Sequence, residues 1–243
     1  MKKNASLVFG GNTDTINLSI GNSSIEESNA ETLLGIDFDK SLNFKSHVRT
    51  LCKKANQKLH ALSRISSYMD EKKLMLTMKT FIMSQFNYCP LVWMFYDRTI
   101  NNKLNRMHER ALRIAGKDDK SSFQELLQKT NSVSIHKRNL QLLMVEIYKT
   151  KHNLNPSFMK QIFEDKILPY NLRNTGTLLL PKVRTTAYGV ETVRFLGQRL
   201  WEKLPDALKN AKCLESFKRE IKSTELQCNC RLRKVYIPSL GYL

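Results

Sequence analysis

Residues that interrupt helices are scarce in this sequence, whose 243 residues include only 9 glycines and 6 prolines. A turn-dense β-sandwich needs many such residues, whereas long helices need few. Hydrophobic residues make up 41% of the chain, enough to bury a core, which excludes intrinsic disorder for most of it. We therefore expect a folded, mostly helical protein that forms one ordinary domain or two small ones.

Positive charge is concentrated after Phe44. The chain has 40 Lys and Arg against 22 Asp and Glu, a net charge of +18. Residues 1–44 hold 3 basic and 6 acidic residues, whereas the rest holds 37 and 16, a net charge of +21. This excess predicts a polyanionic partner for the later part of the chain. Charge alone favours nucleic acid over an anionic membrane surface or an acidic protein, but leaves all three open.

The first 44 residues have the alternation typical of short strands. Ile16, Leu18 and Ile20 alternate with polar residues and are followed by the turn residues Gly21 and Asn22. Further apolar runs occupy residues 7–9 and 33–38, the first of them followed by a turn signal at 10–12. About three short antiparallel strands are therefore predicted here.

After residue 44 the apolar spacing becomes that of amphipathic helices. In the first helix, Val48, Cys52, Ala55 and Leu59 recur at intervals of three and four, with basic residues mainly on the other faces. Further helices are predicted after the N-cap residues Asp70, Asp97 and Ser122, another from about Ser134, and two more around Leu196 and Phe217. The helix after Asp70 is expected to bury Leu74, Met75, Met78, Phe81, Ile82 and Phe86 and to end or kink at Pro90, and the next to stop at Gly116.

The sequence shows no catalytic or metal-binding constellation. Asp118 and Asp119 form an adjacent acidic pair, but they lie in a hydrophilic connection between helices, where a solvated loop or an N-cap is expected. The five histidines lack paired-ligand spacing. Cys228 and Cys230 could give zinc two thiolates, yet no third Cys or His follows them. No catalytic residue, metal or cofactor is therefore predicted in this chain.

The sequence also predicts an intracellular protein that does not span a membrane. Its longest uncharged stretch, residues 80–96, contains polar residues and falls short of the roughly 20 apolar residues of a membrane helix. The N-terminus lacks the apolar run of a signal peptide. Five cysteines, an odd number, do not make a disulfide framework. The choice between cytoplasm and nucleus stays open.

Several long blocks of the sequence are similar to one protein family. Residues 34–48 read LGIDFDKSLNFKSHV and resemble the "LGI…D…L.F..H" stretch of non-LTR (LINE-like, jockey-type) retrotransposon reverse transcriptases. Further blocks that resemble this family, in the same order, are FIMSQFNYCPLVWMF at 81–95, HERALRI at 108–114, SVSIHKRNLQ at 132–141 and LWEKLP at 200–205.

The resemblance implies the C-terminal part of an RNA-directed DNA polymerase. In such enzymes the LGI stretch lies just downstream of the palm's aromatic-x-Asp-Asp metal site, in the hairpin that grips the primer end, and the next helices form the thumb. The finger and palm regions, with their Mg²⁺, would belong to the intact polymerase, so this chain alone is expected to be inactive. The implied segments are palm-end strands at 1–44, a helical thumb-like domain at 45–168, and an extended segment, helices and basic tail at 169–243.

Charge and resemblance together predict contacts with template-primer nucleic acid, an RNA–DNA or DNA duplex. Leu34, Gly35 and Ile36 would lie at the primer grip, where Gly35 allows close backbone approach. Phosphate contacts are predicted for Lys45, Arg49, Lys53, Lys54 and Lys58 on the first long helix and for Arg106, Arg110 and Arg113 on the third.

Departures from the family pattern leave two alternatives. Related sequences often end in Cys-x-Cys-Arg-Leu-Cys-Lys, but Arg233 replaces the third cysteine here, which further lowers the case for zinc at Cys228 and Cys230. The chain could be a non-functional remnant of a degraded element. It could also be a domesticated nucleic-acid-binding module without catalysis.

Overall fold

The computed structural model describes residues 5–9, 17–165, 178–185 and 189–226. These residues are predominantly helical, with short strands before the helices, which confirms the predicted α+β class. The chain divides into two compact units. Unit 1 comprises Met1–Tyr88 and Asn102–Asp119, and unit 2 comprises Cys89–Asn101 and Lys120–Leu243.

The described strands of unit 1 form two small sheets. Strands β1 (Ala5–Ser6), β2 (Leu18–Ile20) and β3 (Ser23–Glu27) make one sheet in the order β1-β3-β2. Strands β4 (Ala30–Leu33) and β5 (Ile36–Asp39) form a separate antiparallel hairpin.

The strand predictions were correct in part. Gly21 and Asn22 do form a two-residue turn, since Ile20 pairs with Ser23 across an antiparallel ladder. The predicted pattern omitted β3 because its sequence, SSIEE, is almost entirely polar. Antiparallel pairing was wrong for β1, which runs parallel to β3. The turn predicted at residues 10–12 and the strand residue Ile16 lie outside the described residues.

The helices follow the strands in chain order. The N-cap predictions are confirmed: the side chains of Asp70 and Asp97 accept hydrogen bonds from backbone N–H groups three residues later, and Ser122 with Glu125 forms a capping box. The helix predicted from about Ser134 is also capped, since the Ser134 side chain accepts from the backbone N–H of Lys137. The helices of the described residues are α1 (Lys45–Ile65), α2 (Glu71–Thr77), α3 (Pro90–Trp93), α4 (Arg98–Gly116), α5 (Phe123–Lys129), α6 (Ile135–Lys151), α7 (Met159–Ile162), α8 (Val193–Glu202), α9 (Asp206–Lys209) and α10 (Leu214–Ser223).

Two predicted helix ends differ from the observed ones. Pro90 does not end a helix but begins α3, at the first position, where a missing N–H costs nothing. Helix α4 includes Gly116, and the residue with positive φ that ends it is Lys117, at 48°. The left-handed position after a helix usually goes to glycine, but here it is one residue later than the glycine.

Helix α2 continues into two irregular turns that change which side chains are buried. A π-helical turn (Met78–Ile82) and a 3₁₀ turn (Met83–Phe86) follow it. Met78, Ile82 and Phe86 are buried as expected. Phe81, which the helical spacing also predicts to be buried, is exposed.

Unit 2 is built on an aromatic core where α6, α8 and α10 meet. The Tyr148 and Phe217 rings stack with centroids 4.4 Å apart, and the Trp201 ring lies 6.0 Å from Phe217. Tyr148 Oη donates a hydrogen bond of 2.8 Å to the Ala211 carbonyl oxygen. At Gly197 a Cβ atom would lie 2.9 Å from Ile147 Cδ1, so that a side chain there would require Ile147 of α6 to shift.

Within the described ranges, no helix has both the length and the apolar composition that a bilayer crossing requires.

Candidate nucleic-acid interface

The predicted primer-grip residues form the tip of the β4–β5 hairpin. Leu34 and Gly35 are its two loop residues, with φ of 49° and 79°, as the type I′ turn favoured in hairpins requires. This conformation suits glycine but is strained for leucine. Leu34 is nevertheless 81% exposed, and Tyr88 Oη donates a 2.6 Å hydrogen bond to its carbonyl oxygen. Ile36 is buried, so only Leu34 and Gly35 are presented at the surface.

The Asp39 carboxylate organises the connection from this hairpin to α1. Its oxygens accept hydrogen bonds from the backbone N–H groups of Ser41, Asn43 and Phe44, at 3.1, 3.3 and 3.0 Å, and from Ser41 Oγ at 2.7 Å. Burial alone would raise the pKa of Asp39, but these hydrogen bonds outweigh it and lower the pKa below its ordinary value. The carboxylate is therefore ionised and fixes the start of α1, which has no side-chain N-cap of its own.

His47 on α1 also fixes this connection. Its side chain is buried, and Nδ1 accepts a 3.3 Å hydrogen bond from the backbone N–H of Asp37 on β5. Burial lowers the pKa of His47, the Asp37 carboxylate opposes this shift, and Lys54 adds to it. The imidazole is therefore neutral. Thus the stretch at 34–48 that carries the family resemblance forms a hairpin-to-helix joint.

Because His47 is neutral in the fold, we expect the protein to lose stability in mild acid. The pKa is lower in the folded state than the ordinary value of about 6.5, so the unfolded chain binds the proton more readily. The contribution of neutral His47 to the free energy of unfolding is complete above about pH 6.5. It decreases as the pH falls, by at most about 1.4 kcal/mol per pH unit. Urea unfolding midpoints at pH 7.5 and pH 5 measure it.

The matched control is the exposed His60 on the same helix. His47→Gln should reduce the pH dependence between pH 5 and 7.5, whereas His60→Gln should leave it unchanged. Equal pH dependence in the wild type and His47→Gln would contradict the assignment.

Helix α1 carries a basic surface without acidic neighbours in the sequence. The thirty residues 40–69 include seven lysines and arginines and no Asp or Glu. Among the described residues, Arg49, Lys53 and Lys54 are exposed and form no hydrogen bond or ion pair through their side chains. At about 100° per residue, Arg49 and Lys53 follow one edge of the exposed face and Lys54 the other.

The other two basic residues predicted on α1 are less available to a ligand. Lys45 is half-buried at the start of the helix, where its backbone N–H donates to Asn43 Oδ1 at 2.9 Å. Lys58 Nζ donates a 3.1 Å hydrogen bond to the Phe81 carbonyl oxygen in the π-helical turn. Arg64, which the sequence-based prediction omitted, is exposed in the last turn of the same helix.

Helix α4 presents a second basic row, here named the α4 ridge: Lys103, Arg106, Arg110 and Arg113. Spacings of three and four place these residues on one face. Lys103, Arg106 and Arg110 are exposed, whereas the half-buried Arg113 pairs with Glu109 at 2.7 Å. The ridge extends over about 15 Å of helix, and the same length of duplex carries about nine phosphate charges.

The sequence-based prediction omitted Lys103, although its spacing of three residues from Arg106 places both on one helix face. Lys103 lies close enough to α1 to act on Cys52. Burial raises the pKa of that thiol, and the Lys103 ammonium opposes the shift.

No three His, Cys, Asp or Glu side chains in the described part of the chain are grouped so that they could hold a metal ion. Cys228 and Cys230 lie outside that part. Asp118 and Asp119 follow α4, and the backbone N–H of Asp118 donates to the Arg113 carbonyl oxygen. The two aspartates thus lie in the connection after α4, as predicted, and the Asp118 backbone satisfies a carbonyl group of the last helical turn.

Comparison of the chain with protein-family models, curated proteins and solved structures returned no match.

Proposed function

We propose that this chain binds the backbone of duplex nucleic acid through α1 and the α4 ridge. It would do so as the thumb-like part of a retrotransposon reverse transcriptase, without catalytic activity of its own. The relationship is supported by the sequence blocks at 34–48 and 81–95. Nucleic-acid binding is supported by one structural observation: Arg49, Lys53, Lys54, Lys103, Arg106 and Arg110 are exposed and have no carboxylate partner among the described residues.

Cations that have no carboxylate partner can bind a polyanion without first breaking an ion pair. An arginine already paired with a carboxylate must exchange that partner for a phosphate, whereas Arg106 and Arg110 need only release their hydration. Arginine can also bind a phosphate with two parallel hydrogen bonds. Each neutralised phosphate frees condensed counterions, which is the main source of sequence-independent affinity.

The salt dependence of binding tests this function. Fluorescence anisotropy with a labelled DNA duplex, and with an RNA–DNA hybrid of the same sequence, would measure affinity from about 50 to about 200 mM NaCl. Four or more phosphate contacts predict a slope of log K against log [NaCl] of about −3.6 or steeper. A slope near zero, or equally tight binding to polyglutamate, would contradict nucleic-acid binding. Template-directed nucleotide incorporation by this chain alone would contradict the non-catalytic assignment.

A further inference from the structure

Phe81 is turned to solvent by a rare backbone feature. The buried residues Leu74, Met78, Ile82 and Phe86 recur at strict intervals of four. In a regular α-helix each such step drifts by about 40°, so the stripe would leave the core after a few turns. The π-helical turn Met78–Ile82 is wider and keeps Ile82 in line with Met78. Phe81, which competes for the same inward position, is left 62% exposed.

Neighbouring side chains hold this turn in place. Thr80 Oγ1 donates a 3.0 Å hydrogen bond to the Leu76 carbonyl oxygen, and Lys58 Nζ donates to the carbonyl oxygen of Phe81 itself. Such turns are frequent at functional sites. A large apolar ring is thus exposed on a backbone whose Phe81 carbonyl oxygen accepts a hydrogen bond from Lys58 of α1.

Basic residues lie close to Phe81 along the backbone. Lys58 Nζ donates to the Phe81 carbonyl oxygen, Lys54 lies one turn earlier on the same edge of α1, and Lys79 is exposed two residues before Phe81, on another face of the turn. The closest carboxylates along this segment, Asp70 and Glu71, are at the start of α2, and Asp70 is already paired with Lys73. We name Phe81, Lys54 and Lys79 the Phe81 platform.

We propose that the Phe81 platform binds single-stranded nucleic acid, with an unpaired base stacked on the Phe81 ring and the flanking phosphates near Lys54 and Lys79. This inference rests on the proposed function and names a second form of its ligand. Aromatic rings beside basic side chains are the usual means of holding single strands, because every base has a face that can stack. A duplex hides those faces, so the ring adds affinity only where bases are unpaired. An uncharged apolar protein surface could cover the ring but would leave Lys54 and Lys79 without counter-charges.

Three variants of the full chain test the platform. Binding of fluorescein-labelled oligo(dT) of about 12 nucleotides and of a blunt duplex would be compared by anisotropy at one salt concentration. Phe81→Leu should weaken oligo(dT) binding by about tenfold and leave duplex binding within about twofold. Phe81→Tyr should retain the wild-type affinity because its ring still stacks. The matched control is Phe158→Leu, since Phe158 is 60% exposed but lies in unit 2; it should affect neither ligand.

The outcomes separate this inference from the proposed function. Loss of oligo(dT) affinity only in Phe81→Leu, with an unchanged melting temperature, supports the platform. Unchanged oligo(dT) binding in Phe81→Leu, or equal losses for oligo(dT) and duplex, overturns the platform but leaves the proposed function standing. A change in self-association instead of in oligonucleotide binding would identify a protein contact and also overturn it. Absence of duplex binding by the wild type would refute the proposed function itself.

Discussion

Arg106→Glu combined with Arg110→Glu is expected to weaken duplex binding by about 100-fold at low salt. Each arginine can supply a charge-assisted hydrogen bond worth about 1.5 to 3 kcal/mol, and each introduced glutamate repels the backbone. Both side chains are exposed and form no ion pair among the described residues, so the substitutions remove no contact of the fold. Anisotropy titrations would measure the affinity, and the salt slope should become shallower by about two.

The control for this variant changes net charge equally in unit 2. Lys203→Glu with Lys212→Glu introduces the same four-unit change at two exposed lysines. If both double variants lose the same affinity, the effect comes from net charge alone and the α4 ridge is not the binding surface. Thermal melting should show that each double variant remains folded, because none of the four side chains is buried.

Trp201→Ala is expected to lower the free energy of unfolding by about 3 to 5 kcal/mol. Trp201 is 1% exposed, and its ring packs against Phe217, which in turn stacks on Tyr148. Truncation would open a cavity where α6, α8 and α10 meet, and close packing leaves little room for collapse. Urea unfolding followed by far-ultraviolet circular dichroism would measure the loss.

Trp201→Phe separates ring packing from hydrogen bonding. The indole Nε1 is buried and has no hydrogen-bond partner among the described residues, so a phenyl ring loses volume but no polar contact. We expect this variant to cost less than half as much as Trp201→Ala. Equal losses in both variants would contradict the assignment of the stabilisation to buried ring area.

Features set by local chemistry could be predicted from the sequence. The N-caps at Asp70, Asp97 and Ser122 depend on residues three positions away, and the buried face of α1 follows from spacing alone. Features set by tertiary packing could not. Whether Phe81 or Ile82 faces the core depends on the match between α2 and its surroundings, because both positions fit a helical stripe.

The candidate interface was predictable as a set of charges but not residue by residue. Arg49, Lys53, Lys54, Arg106 and Arg110 are exposed, whereas Lys58 and Arg113 are engaged by Phe81 and Glu109. Periodicity can assign a lysine to a helix face, but it cannot show which carbonyl or carboxylate lies opposite. The same holds for the stretch at 34–48, where Asp39 and His47 make contacts that fix the backbone.

The carboxylate-bearing strands and the carboxylate-free helix α1 give unit 1 a separation of charge. Glu26, Glu27, Glu31, Asp37 and Asp39 lie on β3, β4 and β5, whereas α1 carries six cations and no carboxylate. Such an asymmetric distribution is an electric dipole, and the field of a polyanion exerts a torque on it. During diffusion, unit 1 should therefore turn so that its basic helix approaches the polyanion first, before any contact forms. Added salt should then lower the association rate constant as well as raise the dissociation rate constant.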